Sequence, residues 1–224
     1  MNVSIVILLF KKMKNRALLE AEINTQYSNR FERFGPTPRG VFWVSTERQE
    51  KRFDIILKEI QKISSKQKVL DLADIGCGYG SFVDYLSKKL NRMDFKYEGL
   101  DINMDLIEYC RSNILEPNIR FAVGGKPSSK KDFVIMSGTY NLATTKDVSF
   151  WEQYLFGCLS ECWAYTKSAM IFNLQTSRTR KITSQNIYYA KTSDIIDFCV
   201  AKLGPTRITR DASLENDVTF TIVK

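Results

Sequence analysis

Two hydrophobic periodicities alternate along the chain and predict strands and helices in turn. Short apolar runs predict strands at residues 69–75, 96–102, 119–123, 132–136 and 168–174. Apolar residues spaced three and four apart predict helices at about 80–91, 103–112, 149–165 and 193–203. Residues 207–210 and 218–223 alternate with a period of two, which predicts a closing hairpin. The series predicts an α/β fold: a seven-stranded, mostly parallel sheet with the last strand antiparallel and helices on both faces.

The polar stretches between these elements are predicted as loops. Residues 126–131 are polar and basic, and too short for a full helix between two strands. The segment that carries Tyr188 and Tyr189 is also predicted as a polar loop. These loops complete the predicted order of elements.

The N-terminal quarter has a different pattern, with two predicted helices joined by a proline-rich loop. The helices cover residues 15–34 and 45–63, and the loop between them ends in aromatic residues. We therefore divide the chain into a helical leader and lid, residues 1–64, and a main domain, residues 65–224.

Residues 3–10 form an apolar run of eight ahead of this leader. A bilayer-spanning helix needs about 20 residues, and no basic residue precedes the run as in a signal peptide. The run is therefore either a helix that packs on the body or an extension upstream of a working start at Met13. We expect it to be dispensable for catalysis, and we expect no membrane partner.

Three alternate glycines, Gly76, Gly78 and Gly80, separate the first predicted strand from the helix that follows it. Glycine permits positive φ and brings no Cβ, so a ligand can lie against the backbone and the helix N-terminus. A dinucleotide fingerprint requires a third glycine or alanine at the position of Ser81, so this spacing does not match it. A purely structural turn is the alternative.

The second predicted strand ends at Asp101, about 20 residues beyond the glycines, where a ribose-binding carboxylate is expected. Such a carboxylate accepts hydrogen bonds from both ribose hydroxyls. The alternative is that Asp101 only caps the next helix.

Composition narrows the classes of function. A chain of 224 residues with 44% hydrophobic content fits one domain. A formal charge of +8 suits an anionic partner, although the basic residues are scattered and fit a solvated surface better. Five cysteines without a Cys-x-x-Cys pair fit reduced thiols in a cytoplasmic protein, and the absence of histidine argues against a metal site and removes the commonest general base.

The pattern Asp74-x-Gly76-Cys77-Gly78-x-Gly80 resembles the first motif of the Rossmann-like class I S-adenosylmethionine (SAM)-dependent methyltransferases. The leader and the end of the fourth strand resemble a bacterial subgroup of these enzymes. The matching positions are Pro38, Arg39, Trp43, Ser45, Glu47, Gln49, Arg52 and Phe53, followed by Ser137, Gly138 and Asn141. Alternatively, Trp43 and Phe53 are core residues and the charged positions form a solvent-exposed face of the helix.

The resemblance implies SAM as the cofactor. The implied cofactor-binding residues are Asp74, Gly76, Cys77, Gly78, Gly80, Asp101, Ile102, Gly124, Ser137, Gly138 and Arg52. The implied catalytic candidates are Tyr140, Asn141 and Glu47. The acceptor pocket is expected between residues 35–53 and 137–141, with Trp43 as an apolar wall.

The acceptor class follows from the same resemblance. The turn after strand four lacks the Asn/Asp-Pro-Pro-Tyr/Phe tetrapeptide of enzymes that methylate exocyclic amines of bases or protein glutamine. A small-molecule acceptor is therefore expected. The alternatives are an RNA methyltransferase that uses the basic surface and a non-catalytic SAM-binding module. The acceptor's identity and the oligomeric state are left open.

Overall fold

The computed structural model describes residues 3–64, 69–91 and 94–224, with side chains from residue 15 onward. The helices in these ranges are α1 (Val3–Phe34), α2 (Thr46–Ile63), α3 (Ser81–Lys89), α4 (Met104–Asn113), α5 (Val148–Trp163) and α6 (Thr192–Lys202), with a 3-10 helix at Pro38–Val41. None of these helices combines the length and apolarity needed to cross a bilayer.

The strands form one mixed sheet. They are β1 (Leu70–Ile75), β2 (Phe95–Asp101), β3 (Ile119–Val123), β4 (Lys131–Met136), β5 (Thr166–Ser177), β6 (Lys181–Ile182), β7 (Tyr188–Lys191), β8 (Thr206–Thr209) and β9 (Asp217–Val223). Strands β3, β2, β1, β4 and β5 are parallel neighbours in that order. Strand β9 pairs antiparallel with both β5 and β8, so it is the reversed strand among these seven. The predicted seven-stranded sheet with an antiparallel last strand is confirmed.

Strands β6 and β7 are additions to the predicted sheet, so the expected loop around Tyr188 and Tyr189 is wrong. Strand β7 extends the sheet beside the end of β5 and forms an antiparallel hairpin with β6. Tyr188 and Ala190 are fully buried, whereas Lys191 is exposed. Tyr188 also donates a hydrogen bond to Glu152 at 2.8 Å. The alternation of buried and less buried side chains is that of a strand, although polar neighbours mask it in the sequence.

Helices cover both faces of the sheet, as predicted. Helices α2, α3 and α4 pack on one face through residues such as Ile56, Phe82 and Ile107. Helix α5 contributes Leu155 and Leu159 to the core on the opposite face. The sheet is thus buried between two apolar layers, as a parallel sheet requires.

Helix α1 occupies part of the second face where the chain has no crossover helix. Residues 124–130, between β3 and β4, contain no helix, as predicted for this short polar loop. Leu19 of α1 is only 3% exposed and belongs to the core cluster that includes Ala73 and Leu100. Ile23 packs against the same cluster. The leader helix therefore seals the sheet above β1 and β2 and reaches the carboxyl ends of these strands.

The backbone of α1 is one continuous helix from residue 3 to residue 34, and it ends at Gly35 with φ +64°. The predicted helix at 15–34 is part of it. The apolar run at residues 3–10 has helical backbone, but its side chains lie outside the described set, so its dispensability stays a prediction. The predicted helix at 45–63 begins as expected, because the Ser45 side chain accepts a hydrogen bond from the Arg48 amide.

Candidate functional site

A deep cavity lies at the carboxyl ends of the first four strands, where open α/β sheets bind their ligands. It encloses about 990 Å³ of empty space, including the part that is open to solvent. Ten of the residues predicted for the site line it: Asp74, Gly76, Cys77, Gly78, Asp101, Ile102, Gly124, Ser137, Gly138 and Tyr140. The fold therefore gathers residues from four separate strand ends around one space.

The glycine turn forms the floor of this cavity. Gly76, Gly78 and Gly80 all have positive φ, at +74°, +57° and +84°. A Cβ on Gly76 would lie 2.5 Å from the Thr139 side chain, which is held by its own hydrogen bond to the Ile75 carbonyl. The turn therefore requires glycine both for its backbone conformation and for its packing. Gly80 is not among the cavity-lining residues; its Cβ would meet Ile114 instead.

Asp101 joins the glycine turn to the end of β2. Its Oδ2 accepts a hydrogen bond from the Gly78 amide at 3.0 Å, and its Oδ1 accepts one from the Asn103 amide at 2.9 Å. Burial raises the pKa of this carboxyl group, and the backbone hydrogen bonds oppose that shift. Helix α4 is capped by Asn103, whose Oδ1 accepts from the Leu106 amide, so the capping alternative for Asp101 does not hold.

Asp74 is the second acidic group in the floor and is only 2% exposed. Its Oδ2 accepts a hydrogen bond from the Tyr97 hydroxyl at 2.6 Å. Burial raises its pKa to about 7, although the Tyr97 hydrogen bond opposes that shift. The carboxyl group is thus held in a site that penalises its charge unless a cation comes close.

Helix α1 provides one part of the roof, with Ile23, Asn24 and Tyr27 lining the cavity. The Asn103 amide group fastens this helix to the turn after β2. Its Nδ2 donates to the Asn24 carbonyl oxygen at 3.2 Å and to Ser28 Oγ at 2.8 Å. Sequence reasoning missed these residues, because no local pattern links a leader helix to a turn more than 70 residues away.

The leader that follows α1 provides a second wall, with Trp43, Gln49 and Phe53 lining the cavity. Gln49 is only 3% exposed and joins this wall to the glycine turn. Its Nε2 donates to Ser81 Oγ at 3.0 Å, and its Oε1 accepts from the Tyr79 hydroxyl at 3.2 Å. The leader therefore reaches the carboxyl edge of the sheet.

Tyr140 lies on the opposite side of the cavity, where it is 4% exposed. Its backbone carbonyl accepts a hydrogen bond from Trp151 Nε1 at 3.3 Å, and its ring meets Tyr154 edge to face. Burial raises the pKa of the Tyr140 hydroxyl well above its usual value. At neutral pH this hydroxyl is protonated and serves as a hydrogen-bond donor or acceptor.

Besides Gly80, three predicted site residues are not among the described residues that line the cavity. Arg52 is buried in an ion pair with Asp217 and lies 4.4 Å from the Trp43 ring centroid. Asn141 Oδ1 accepts a hydrogen bond from the Gln175 amide at 3.0 Å. Glu47 is exposed and lies 3.6 Å from Lys51 on the surface of α2. The side chains of Arg52, Asn141 and Glu47 therefore do not contact the cavity directly, and their predicted roles stay predictions.

Three of the seven buried side-chain polar atoms that lack a partner in the described part of the chain belong to residues that line this cavity. Asn24 Oδ1, Asp74 Oδ1 and Ser137 Oγ have no hydrogen-bond partner within the described part of the chain, and all three residues line the cavity. Buried polar atoms in native proteins are nearly always paired, so three unpaired atoms around one cavity point to a polar ligand. SAM fits this set, because its amino-acid end, ribose and base each carry hydrogen-bonding groups.

Comparison with known proteins agrees with this geometry. No protein-family model matches the chain. The Mycobacterium tuberculosis protein named "Putative methyltransferase Rv1506c" is 24% identical over 128 residues, which cover 56% of this chain and 76% of that protein.

Solved structures of methyltransferases resemble the fold over most of the chain, and two examples illustrate this. Magnesium protoporphyrin IX methyltransferase from Synechocystis PCC 6803, solved with bound SAM, has a TM-score of 0.63 at 14% identity and covers 93% of this chain and 96% of its own. A SAM-dependent methyltransferase from Leishmania major has a TM-score of 0.67 at 10% identity, covering 90% and 82%. The fold is that of the class I methyltransferases. These similarities agree with the enzyme class and cofactor expected from the sequence.

Proposed function

We propose that this protein is a SAM-dependent methyltransferase that acts on a small-molecule acceptor. The observation that carries the proposal is the cavity at the strand ends, whose floor is the glycine turn with Asp101 and around which three buried polar atoms have no partner among the described residues. A non-catalytic SAM-binding module would need the floor alone. The aromatic walls beyond it favour an enzyme with a second ligand.

The cofactor is assigned to the floor residues. Asp101 is already oriented by two backbone amides, and each of its oxygens keeps a lone pair for a ribose hydroxyl. The unpartnered oxygen of Asp74 is available to the ammonium group of the amino-acid end, which would restore the carboxylate's charge at neutral pH. Gly76 and Gly78 let the ligand approach the main chain between these two acids.

In methyl transfer from SAM, the main task of the protein is to align the bound cofactor with the bound acceptor. SAM, when bound, supplies an electrophilic methyl group. The chain's own residues hold donor and acceptor in line and exclude water, and such alignment supplies roughly 7 to 11 kcal/mol of a bimolecular barrier. Tyr140 orients the acceptor through its neutral hydroxyl, and Asn141 acts on the same turn through the Gln175 backbone. The proposal does not depend on Glu47, because that side chain lies outside the cavity.

The charges around the cavity favour an uncharged acceptor over a nucleic acid. The charged residues among the described lining are Arg16, Asp74 and Asp101. Arg16 is already paired with Glu20 at 2.9 Å and Glu161 at 2.6 Å, so it offers little to a phosphate. Two buried acids and one neutralised cation suit the positive sulfonium of SAM and a neutral, largely apolar partner.

Calorimetric titration with S-adenosylhomocysteine (SAH) tests the cofactor assignment. The native protein is expected to bind, and Asp101→Ala is expected to weaken binding by about 1.5 to 3 kcal/mol, the scale of a hydrogen bond to a charged group. Asp84→Ala is the matched control, because Asp84 is exposed on α3 and is not part of the cavity lining. Unchanged affinity in Asp101→Ala would reject the assignment.

The acceptor class is tested separately by the salt dependence of ligand binding. An RNA acceptor would lose affinity steeply between about 50 and 200 mM salt, because binding releases counterions from phosphates. A small neutral acceptor, found by SAH release in a compound panel, should show little change. SAH binding without release of SAH from any compound would favour the non-catalytic module.

A further inference from the structure

Asn24 of helix α1 has a buried side-chain oxygen that no described residue engages. Its Oδ1 has no partner, and Asn24 lines the cavity. The backbone of Asn24 does make a hydrogen bond: its carbonyl oxygen accepts from Asn103 Nδ2 at 3.2 Å. The backbone of Asn24 is therefore anchored to the body, whereas its amide oxygen is free for a ligand.

The anchoring contacts place Asn24 at the Asp101 end of the cavity. Asn103 follows Asp101 by two residues and holds both Asn24 and Ser28. Tyr27, one position before Ser28, is close enough to Asp101 for the carboxylate to add to the burial that raises the tyrosine's pKa. This stretch of α1 thus lies over the turn that we assign to the ribose.

The base of a bound nucleoside must lie beyond that turn. This step rests on the proposed function, in which the amino-acid end of SAM meets the turn after β1 and the ribose meets Asp101 after β2. Strand β3 is the next strand outward, and Gly124 and Gly125 at its end also line the cavity. The base therefore points towards these glycines and away from the β1 turn.

Among the described residues, few side-chain acceptors line this end of the cavity, and the Tyr27 hydroxyl beside Asp101 is one of them. Gly124 and Gly125 carry no side chain, and Ile102 is apolar. The Oδ1 of Asn103 is occupied by its bond to the Leu106 amide. Among the described residues that line this end, Asn24 Oδ1 is the unengaged amide oxygen.

We propose that Asn24 recognises the adenine base of the cofactor by accepting a hydrogen bond from its exocyclic amino group. Adenine presents a donor at this position, whereas hypoxanthine presents a carbonyl oxygen. Two acceptors would then face each other in a buried site, and neither would be satisfied. Asn24 is thus a specificity residue on a helix outside the strands and turns that form the floor.

The test compares SAH with S-inosylhomocysteine, which differs by hypoxanthine in place of adenine. Calorimetry should show that the native protein prefers SAH by about tenfold or more, the scale of one buried hydrogen bond. Asn24→Ala should weaken SAH binding until the two ligands bind about equally, with little change for S-inosylhomocysteine. Asn24→Asp keeps an acceptor and should keep the preference.

Thr25→Ala is the matched control, because Thr25 is exposed on the same helix and its hydroxyl donates to the Ala21 carbonyl. It should leave both affinities unchanged. Equal loss of both ligands in Asn24→Ala, or no loss of either, would overturn the role of Asn24 while SAM binding stands. Failure of the native protein to bind SAH at all would overturn the proposed function and this inference together.

Discussion

The floor and the roof of the cavity are built in different ways. The floor comes from one continuous stretch, residues 74–103, and meets its ligand through backbone and two carboxylates. The roof and walls come from α1, the leader, the turn after β4 and α5, and their side chains include aromatic ones such as Trp43, Tyr140 and Trp151. The floor thus has a local sequence signature, whereas the roof exists only in the folded chain.

The two regions also differ in what holds them in place. The floor is fixed by backbone geometry, since Asp101 binds the Gly78 amide and the Leu100 carbonyl accepts from the Gly76 amide at 2.7 Å. The wall at Gly138 is fixed by buried side chains, because its amide donates to Asn173 Oδ1 at 2.6 Å and Asn173 in turn contacts Asp217. Mutations should therefore affect the two regions through different mechanisms.

The largest effect should come from Asp217→Ala, which removes the support of the Gly138 wall. Asp217 is 4% exposed, pairs with buried Arg52 and accepts from Gln175 Nε2 at 2.9 Å. Removing one partner of a buried pair leaves an uncompensated charge, so we expect a loss of about 3 to 5 kcal/mol in the free energy of unfolding. Urea denaturation measures it. Asp194→Ala breaks the exposed pair with Lys191 and should change little; an equal loss in both would contradict the account.

Gly76→Ala tests the floor by the same measurement. The new Cβ would meet Thr139 at 2.5 Å in a residue with φ +74°, and the left-handed conformation and the overpacking together should cost about 2 to 4 kcal/mol. SAH affinity should fall as well. The control is Gly157→Ala in α5, where no described atom outside the adjacent helix backbone lies within 4 Å of the added Cβ and helix propensity should raise stability by about 0.5 to 1 kcal/mol. If Gly76→Ala left the free energy of unfolding unchanged, the floor would not need glycine at this position.

Asp74 should make the free energy of unfolding of the protein depend on pH when no cofactor is bound. Its pKa is raised from 3.8 to about 7 by burial, so the folded state keeps a proton that the unfolded state has lost. The free energy of unfolding should therefore fall as pH rises from about 4 through 7. Asp74→Asn mimics the protonated acid, so its free energy of unfolding should match that of the native protein below about pH 4 and exceed it by roughly 2 to 4 kcal/mol at pH 8. Denaturation curves with parallel pH profiles would refute this.

Tyr140→Phe tests whether the cavity wall contributes to turnover without contributing to cofactor binding. The ring remains and the hydroxyl is lost, so SAH affinity should stay within a few-fold while turnover falls about tenfold, as expected for one lost hydrogen bond. SAH release with an acceptor from the compound panel measures turnover. Tyr189→Phe is the control, since Tyr189 is not among the residues lining the cavity. Loss of SAH binding with unchanged turnover per bound cofactor would move Tyr140 to the cofactor site.

The smallest effect is expected from a chain that begins at Met13. The described contacts of α1 with the body start at Arg16, which pairs with Glu161, and continue through Leu19. These contacts survive the truncation, so SAH affinity should not change. Loss of the cooperative thermal transition would instead show that residues 3–10 stabilise the fold.

The sequence predicts the parts of the molecule that depend on local patterns. The glycine spacing and the position of Asp101 locate the floor, and period-two alternation locates β8 and β9. Side-chain partners from distant segments escape such reasoning. Arg52 was assigned to the cofactor, yet it pairs with Asp217, which lies 165 positions further along the chain. Asn24 belongs to no sequence motif, and it stands out because its buried oxygen has no partner among the residues that the structure describes.

A crystal structure with bound SAH tests the central claim most directly. The account predicts that the ribose hydroxyls lie within hydrogen-bonding distance of both Asp101 oxygens, with the amino-acid end against Gly76 and Gly78 and the base beneath Asn24. The previously unpartnered oxygens of Asp74 and Asn24 should then be paired. Electron density for SAH outside this cavity, or an orientation in which the base occupies the glycine turn, would contradict the assignment of floor and roof.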